Sequence, residues 1–146
     1  MKPNPNAQTT DWIVVVENGT ESWMNLQAAF GKLEPKIETV HASNGTTALS
    51  YLETCLLEQE TLPRLILTNL YLPMREDGLR FLSALQDNAS FCVLPVVVLS
   101  ASDDPADRQE AHRRGASYRV IPTDPGKWDD FLRSIPLRWN EGAARK

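Results

Sequence analysis

The strongest constraint in this sequence is an alternation, repeated five times, between short aliphatic runs and segments whose apolar residues fall at helical spacing. Trp12 to Val16 is a continuous apolar run, the pattern of a strand covered on both faces. Ser22 to Phe30 places Trp23, Leu26 and Phe30 one helical face apart, and Gly31 is a natural stop. Ile37 to His41 alternates as a second strand. Thr46 to Leu57 follows as a helix with Ala48, Leu49, Leu52 and Leu56 on one face and Asn44-Gly45 as the turn before it. Leu65 to Thr68 gives a third strand and Gly78 to Leu85 a third helix with Leu79, Leu82 and Leu85 inward. Val96 to Leu99 gives the fourth strand, and Asp103 to Arg114, opening on Asp-Asp-Pro and closing on Gly115, the fourth helix. Tyr118 to Ile121 and Lys127 to Ile135 complete the series. Strands alternating with helices through short loops demand a parallel sheet with helices on both faces, since right-handed crossovers leave no simpler arrangement.

One such domain accounts for nearly the whole chain of 146 residues. Residues 1–10, rich in Pro, Asn and Thr and without periodicity, read as a flexible N-terminal arm. Residues 11–136 read as the domain, and residues 137–146 as a C-terminal tail. The formal charge of −4 offers no general field for nucleic acid, so no nucleic-acid partner is expected. No apolar run approaches the roughly 20 residues that cross a bilayer, and no signal peptide precedes the first strand. The expectation is a cytoplasmic protein with no membrane partner. Cys55 and Cys92 lie in apolar stretches and read as buried free thiols. His41 and His112 have no second His or Cys at ligand spacing, so no metal site is expected of them.

The stretch "LILTNLYLPMREDG", Leu65 to Gly78, concentrates the functional question. A buried strand runs into Asn69 at the edge of a loop that carries Pro73, and parallel α/β folds place their chemistry at that edge. With "IVVVENG" after the first strand, "VVVLSAS" at the fourth and "GASYRVIPTDP" at the fifth, the chain resembles the receiver domain of bacterial response regulators. The resemblance covers roughly Asp11 to Ile135. It implies a flavodoxin-like three-layer sandwich, a five-stranded parallel sheet of order 2-1-3-4-5 with five helices. The long connection before the third strand and "FLRSIPLRW" at the end look more like the small stand-alone receivers that serve bacterial phytochrome kinases.

A receiver of this kind takes a phosphoryl group from a sensor histidine kinase onto an aspartate after the third strand. Mg²⁺ is held there by acids after the first strand, and a Ser or Thr and a Lys stabilise the transferred charge. Against that pattern Glu17 keeps the first acid, but Asn18 stands at the second and Asn69 at the phosphoacceptor. Ile121 stands at the Lys, and Ser100 keeps its hydroxyl. The resemblance therefore implies a degenerate pocket built of Glu17, Asn18, Asn69, Ser100 and Ile121, with no catalytic residue, no metal and no cofactor. Glu76 and Asp77 read as turn and cap residues, not as relocated acceptors. The resemblance also implies a cis peptide between Ile121 and Pro122.

The expected function is an atypical stand-alone receiver, not an enzyme, acting in two-component signalling through phosphorylation-independent protein contacts. The expected partners are a sensor histidine kinase or another two-component protein, or a second copy paired through the fourth helix, fifth strand and fifth helix. Ser100, Tyr118 and Trp139 are the candidates for switching or interaction, with Arg113 and Arg119 as rim charges. On the residues alone, Ser100 equally fits a loop cap, and Tyr118 a half-buried aromatic with its hydroxyl in water. Trp139 equally fits a tail folded back on its own domain. The alternatives are a conventional phosphoryl-accepting switch, which Asn69 opposes, and a flavodoxin-like ligand or electron carrier. The second would need a Ser/Thr/Gly-rich phosphate loop where "ENGTES" stands.

Overall fold

The computed structural model describes residues 12–33 and 36–135. The arm, the tail and Trp139 lie outside the described residues. The elements alternate as expected: β1 (Trp12–Val16), α1 (Thr20–Phe30), β2 (Glu38–Ala42), α2 (Gly45–Leu57), β3 (Leu65–Thr68), α3 (Arg75–Gln86), β4 (Val96–Ser100), α4 (Pro105–Arg113), β5 (Ser117–Val120) and α5 (Trp128–Arg133), the last preceded by a 3-10 turn. The strands form one sheet of order β2-β1-β3-β4-β5, and every neighbouring pair is parallel. Parallel pairing sends all five strand ends to one edge. In register, Val16 faces Thr68 and Ser100 faces Val120, so the residues that follow β1, β3 and β5 meet at that edge with the last residue of β4.

Alternation along each buried strand divides the core between the two faces. Ile13, Val15, Leu65, Leu67, Val97 and Leu99 pack beneath α1 and α5, against Leu26, Phe30, Trp128, Leu132 and Ile135. Val14, Val16 and Ile66 pack beneath α2 and α3, against Leu52, Phe81, Leu85 and Phe91. A third cluster of Leu70, Leu82, Val98, Ala111, Ala116 and Tyr118 seats α4 and β5. Full burial of each large aliphatic side chain contributes about 1.5–3 kcal/mol relative to exposure, so the strand runs supply much of the stability.

Several boundaries move for identifiable reasons. α2 begins at Gly45 because the Asn44 side-chain oxygen accepts the Thr47 amide at 2.8 Å. Its inward face is Ala48, Leu52 and Cys55, while Leu56 is 38% exposed. α3 starts at Arg75 rather than Gly78, because the Asp77 carboxylate reaches back to the Met74 amide at 3.0 Å and starts the helix earlier. Gly78 is then interior to α3 and serves a close approach: a Cβ there would lie 1.7 Å from the Leu70 carbonyl oxygen. Cys92 is exposed, contrary to expectation, whereas Cys55 is buried. The segment after α3 forms a turn closed by the Cys92 amide on the Asn88 carbonyl, and this turn points Phe91 inward and Cys92 out.

The expected cis bond is also corrected. The cis peptide among the described residues is Leu72–Pro73, and Ile121–Pro122 is trans. Trans is the intrinsic preference of an X-Pro bond. Ile121, with no charged end to direct into the pocket, packs instead against the core beneath α1 and α5.

Candidate functional site

Glu17 follows β1 directly and is buried, at 6% exposure. Its Oε2 accepts the Gly19 amide at 3.0 Å, which holds the side chain across the start of α1. Asn69 follows β3, its backbone amide bonded to the Val16 carbonyl at 2.9 Å. Its Nδ2 donates to both Glu17 oxygens at 3.2 Å, and its Oδ1 accepts the Tyr71 amide at 3.1 Å. The two ends of the Asn69 amide are therefore distinguished by their partners: a backbone donor fixes the oxygen, and the nitrogen must face the carboxylate.

Burial pushes the Glu17 carboxyl above its ordinary value of 4.5, and the bonds from Gly19 and Asn69 and the nearby His41 only partly oppose it. His41, at the end of β2, stacks on Trp23 with ring centroids 4.1 Å apart and planes 6° from parallel. Its Nε2 lies 2.8 Å from the Glu17 carbonyl oxygen. His112 is exposed on α4.

The remaining candidates split. Asn18 is exposed beside this pair, and Ile121 is half-buried. Ser100, at the end of β4, is 1% exposed, and its Oγ accepts the Ser102 amide at 3.1 Å. It thus shapes the loop into α4. Tyr118 is buried at 4% exposure, and its hydroxyl donates to the Ser102 carbonyl at 2.7 Å. In this conformation Tyr118 supports the α4–β5 face from beneath. Arg113 is exposed on that face and pairs with Glu110, while Arg119 reaches Ser134 beside α5. Glu17 and Asn69 are brought together; Tyr118 belongs to a second centre around Ser102.

A divalent hard cation seeks several anionic or carbonyl oxygens at once. Here the one buried carboxylate already accepts from Asn69 and Gly19, and Asn69 turns N–H donors toward it where a cation would need oxygen. Among the described residues no three His, Cys, Asp or Glu side chains gather as a metal cluster. The residues present do not fit Mg²⁺.

Sequence reasoning missed Asp107. The run around it reads as a solvated helix, yet Asp107 is 1% exposed. The Tyr71 hydroxyl donates to its Oδ2 at 2.8 Å and Arg75 Nε to its Oδ1 at 2.5 Å. An acid in the first turn of a helix has the same sequence signature whether it caps the helix or turns inward, so no local signal distinguishes the two.

The fold, with five parallel strand ends meeting at one edge, is that of a receiver domain. The family model described as the response regulator receiver domain matches residues 13–121, and the chain belongs to that family, which acts in two-component signalling. Over 98 residues it is 33% identical to the response regulator Rre1 of Synechocystis sp., a match covering 66% of this chain and 39% of that protein. The chain thus spans about two fifths of the length of that relative. It is 28% identical to the probable methanogenesis regulatory protein FilR2 of Methanothrix harundinacea, over 88% of this chain and 84% of that one. Among solved structures, the phosphorylated cyanobacterial phytochrome response regulator RcpA superposes with a TM-score of 0.78 at 24% identity, covering 89% of this chain and 94% of that one. The bacteriophytochrome response regulator AtBRR does so at 0.69 and 25% identity, over 88% and 94%.

Proposed function

We propose that this receiver works without phosphorylation, as a protein-interaction module whose phosphoryl pocket is replaced by a closed hydrogen-bonded pair. The observation that carries the reading is the Asn69 amide held against both oxygens of Glu17 at 3.2 Å. A neutral amide cannot serve as the nucleophilic carboxylate, and its N–H groups occupy the carboxylate that would otherwise face the metal. Ile121 presents apolar surface where the family pattern has a cation. The domain comprises residues 11–136, carries no catalytic residue and acts in the cytoplasm; among the described residues no helix is long and apolar enough to cross a membrane.

Its partners on this reading are a sensor histidine kinase or another two-component protein, met through α4, β5 and α5, where two copies can also pair about a two-fold axis. The likeness to phytochrome response regulators favours a sensor kinase of that class. The test is incubation with acetyl phosphate or a phosphorylated kinase, with Mg²⁺, followed by intact mass. The expected result is no added phosphoryl group. A stoichiometric, base-labile phosphoryl group that requires Asn69 or a neighbouring acid would overturn the reading.

A further inference from the structure

Asp107 is the third residue of α4, a position where an acid ordinarily turns back to cap the start of its own helix. The corresponding residue of α3, Asp77, does that. Asp107 does not. The α4 cap comes from Asp104, whose Oδ1 accepts the Ala106 amide at 2.9 Å. Both oxygens of Asp107 instead point across to the loop after β3 and the start of α3, where Tyr71 and Arg75 reach them. Burial alone would raise the Asp107 pKa, but the bonds from Arg75, Tyr71 and Ser102 outweigh it and hold the carboxyl below its ordinary 3.8. The group is an ionised carboxylate, buried, with its two long-range partners on a different element.

The bonds continue on both sides. Tyr71 donates its backbone amide to Asn69, which holds Glu17. On the other side Ser102, whose side chain helps hold the Asp107 carboxyl low, accepts the Tyr118 hydroxyl on its carbonyl. Arg108, adjacent to Asp107, lies over the Tyr118 ring at 5.0 Å. The strand edge that carries Glu17 and Asn69 and the face that carries α4 and β5 are thus joined by consecutive contacts between protein groups.

We infer that Tyr71, Arg75 and Asp107 form a constitutive clamp that ties the β3–α3 loop to α4 and holds the α4–β5 face, with Tyr118 inward, in one arrangement. The inference deepens the proposed function and rests on it for its meaning, because a face held by protein groups alone has no need of phosphoryl transfer. The physical reason is the cost of separation. Moving the loop from α4 strands a buried carboxylate without its partners, and unpaired buried charge is strongly destabilising. Loop and helix therefore move together or not at all.

Amide hydrogen exchange tests the clamp on the unphosphorylated full chain. Tyr71 and Arg75 are only partly buried, so Tyr71→Phe and Arg75→Gln preserve the core. The double variant is expected to speed exchange at least tenfold in both the loop, residues 69–76, and the start of α4, residues 101–108, with the amides of β1 and β3 unchanged. Asp107→Asn should reproduce this pattern; if it fails to fold, the Tyr71 and Arg75 variants decide alone. Unchanged exchange, or faster exchange confined to the loop, would overturn the clamp. Phosphoryl labelling of the wild type, measured separately by mass, would overturn the proposed function and leave the exchange result standing.

Discussion

The side-chain nitrogen of Asn69 lies 3.2 Å from each carboxylate oxygen of Glu17, and this contact closes the strand edge of the receiver on itself. An aspartate in its place would bring a second negative charge against a buried carboxylate, a pairing tolerated only with a cation or a proton between the two. The amide removes that requirement. On the proposed function, the atom that replaces the phosphoacceptor also satisfies Glu17.

Restoring the acceptor alone should therefore fail. Asn69→Asp is expected to give little or no phosphoryl adduct with acetyl phosphate and Mg²⁺, because Asn18 and Ile121 still lack the second acid and the cation. Asn69→Asp combined with Asn18→Asp and Ile121→Lys should gain one phosphoryl group in intact mass. Efficient labelling of the single variant would show that the pocket retains more of the chemistry than its residues imply.

Glu17 should leave a signature in the pH dependence of stability. Its folded pKa is raised above 4.5 by burial, so between the unfolded and folded values the native state binds more protons. Its contribution is fully present below 4.5 and is lost as pH rises through the folded pKa. Asp107 acts in the opposite sense: its folded pKa is lowered from 3.8, so its contribution is present above that value and is lost as pH falls through the folded one. Urea midpoints measured from acid to neutral pH should decline less steeply in Glu17→Gln than in the wild type. An identical decline in both would assign the slope to other groups.

Gly78→Ala should be among the most damaging single-methyl additions in the chain. The new Cβ would sit 1.7 Å from the Leu70 carbonyl oxygen, and this clash is with backbone, which has no rotamer to change. The expected loss is about 3 kcal/mol or more, read as a fall in denaturant midpoint. A loss under about 1 kcal/mol would mean that α3 can slide away from the loop after β3.

Pairing of two copies through α4, β5 and α5 should depend on Arg113 and Arg119. Arg113 is exposed, while Arg119 holds Ser134 beside α5 and lies over the Phe131 ring at 5.3 Å. Light scattering across a dilution series should show a dimer for the wild type and at least tenfold weaker association for Arg113→Glu with Arg119→Glu. A wild type that stays monomeric, or a variant that pairs equally well, would assign partner binding to another surface.

Much of the fold was legible because local pattern and global arrangement agree. The run Trp12 to Val16 has no polar face, so only a strand covered on both sides suits it, and the structure buries all five of its residues. Helix starts were less legible. Asp77 moves the start of α3 to Arg75 through one side-chain bond, and hydrophobic spacing carries no trace of it. Cys92 looked apolar by its neighbours, but a turn has no fixed periodicity to say which of Phe91 and Cys92 faces inward.

By itself the sequence determined the order of elements, the parallel sheet and the identity of the groups at its edge, because periodicity and residue type survive without coordinates. Asn69 and Ile121 declare their chemistry as letters. Only the tertiary structure decided what those groups touch: that Asn69 turns its nitrogen to Glu17, that Ile121 packs half-buried against the core before a trans bond to Pro122, and that Asp107 faces Tyr71 and Arg75 instead of water. The physical reason is range. Backbone propensity and burial pattern act over a few residues, whereas Asp107 meets its partners from 36 and 32 residues away, a distance that only the packing of α4 against the β3–α3 loop can close.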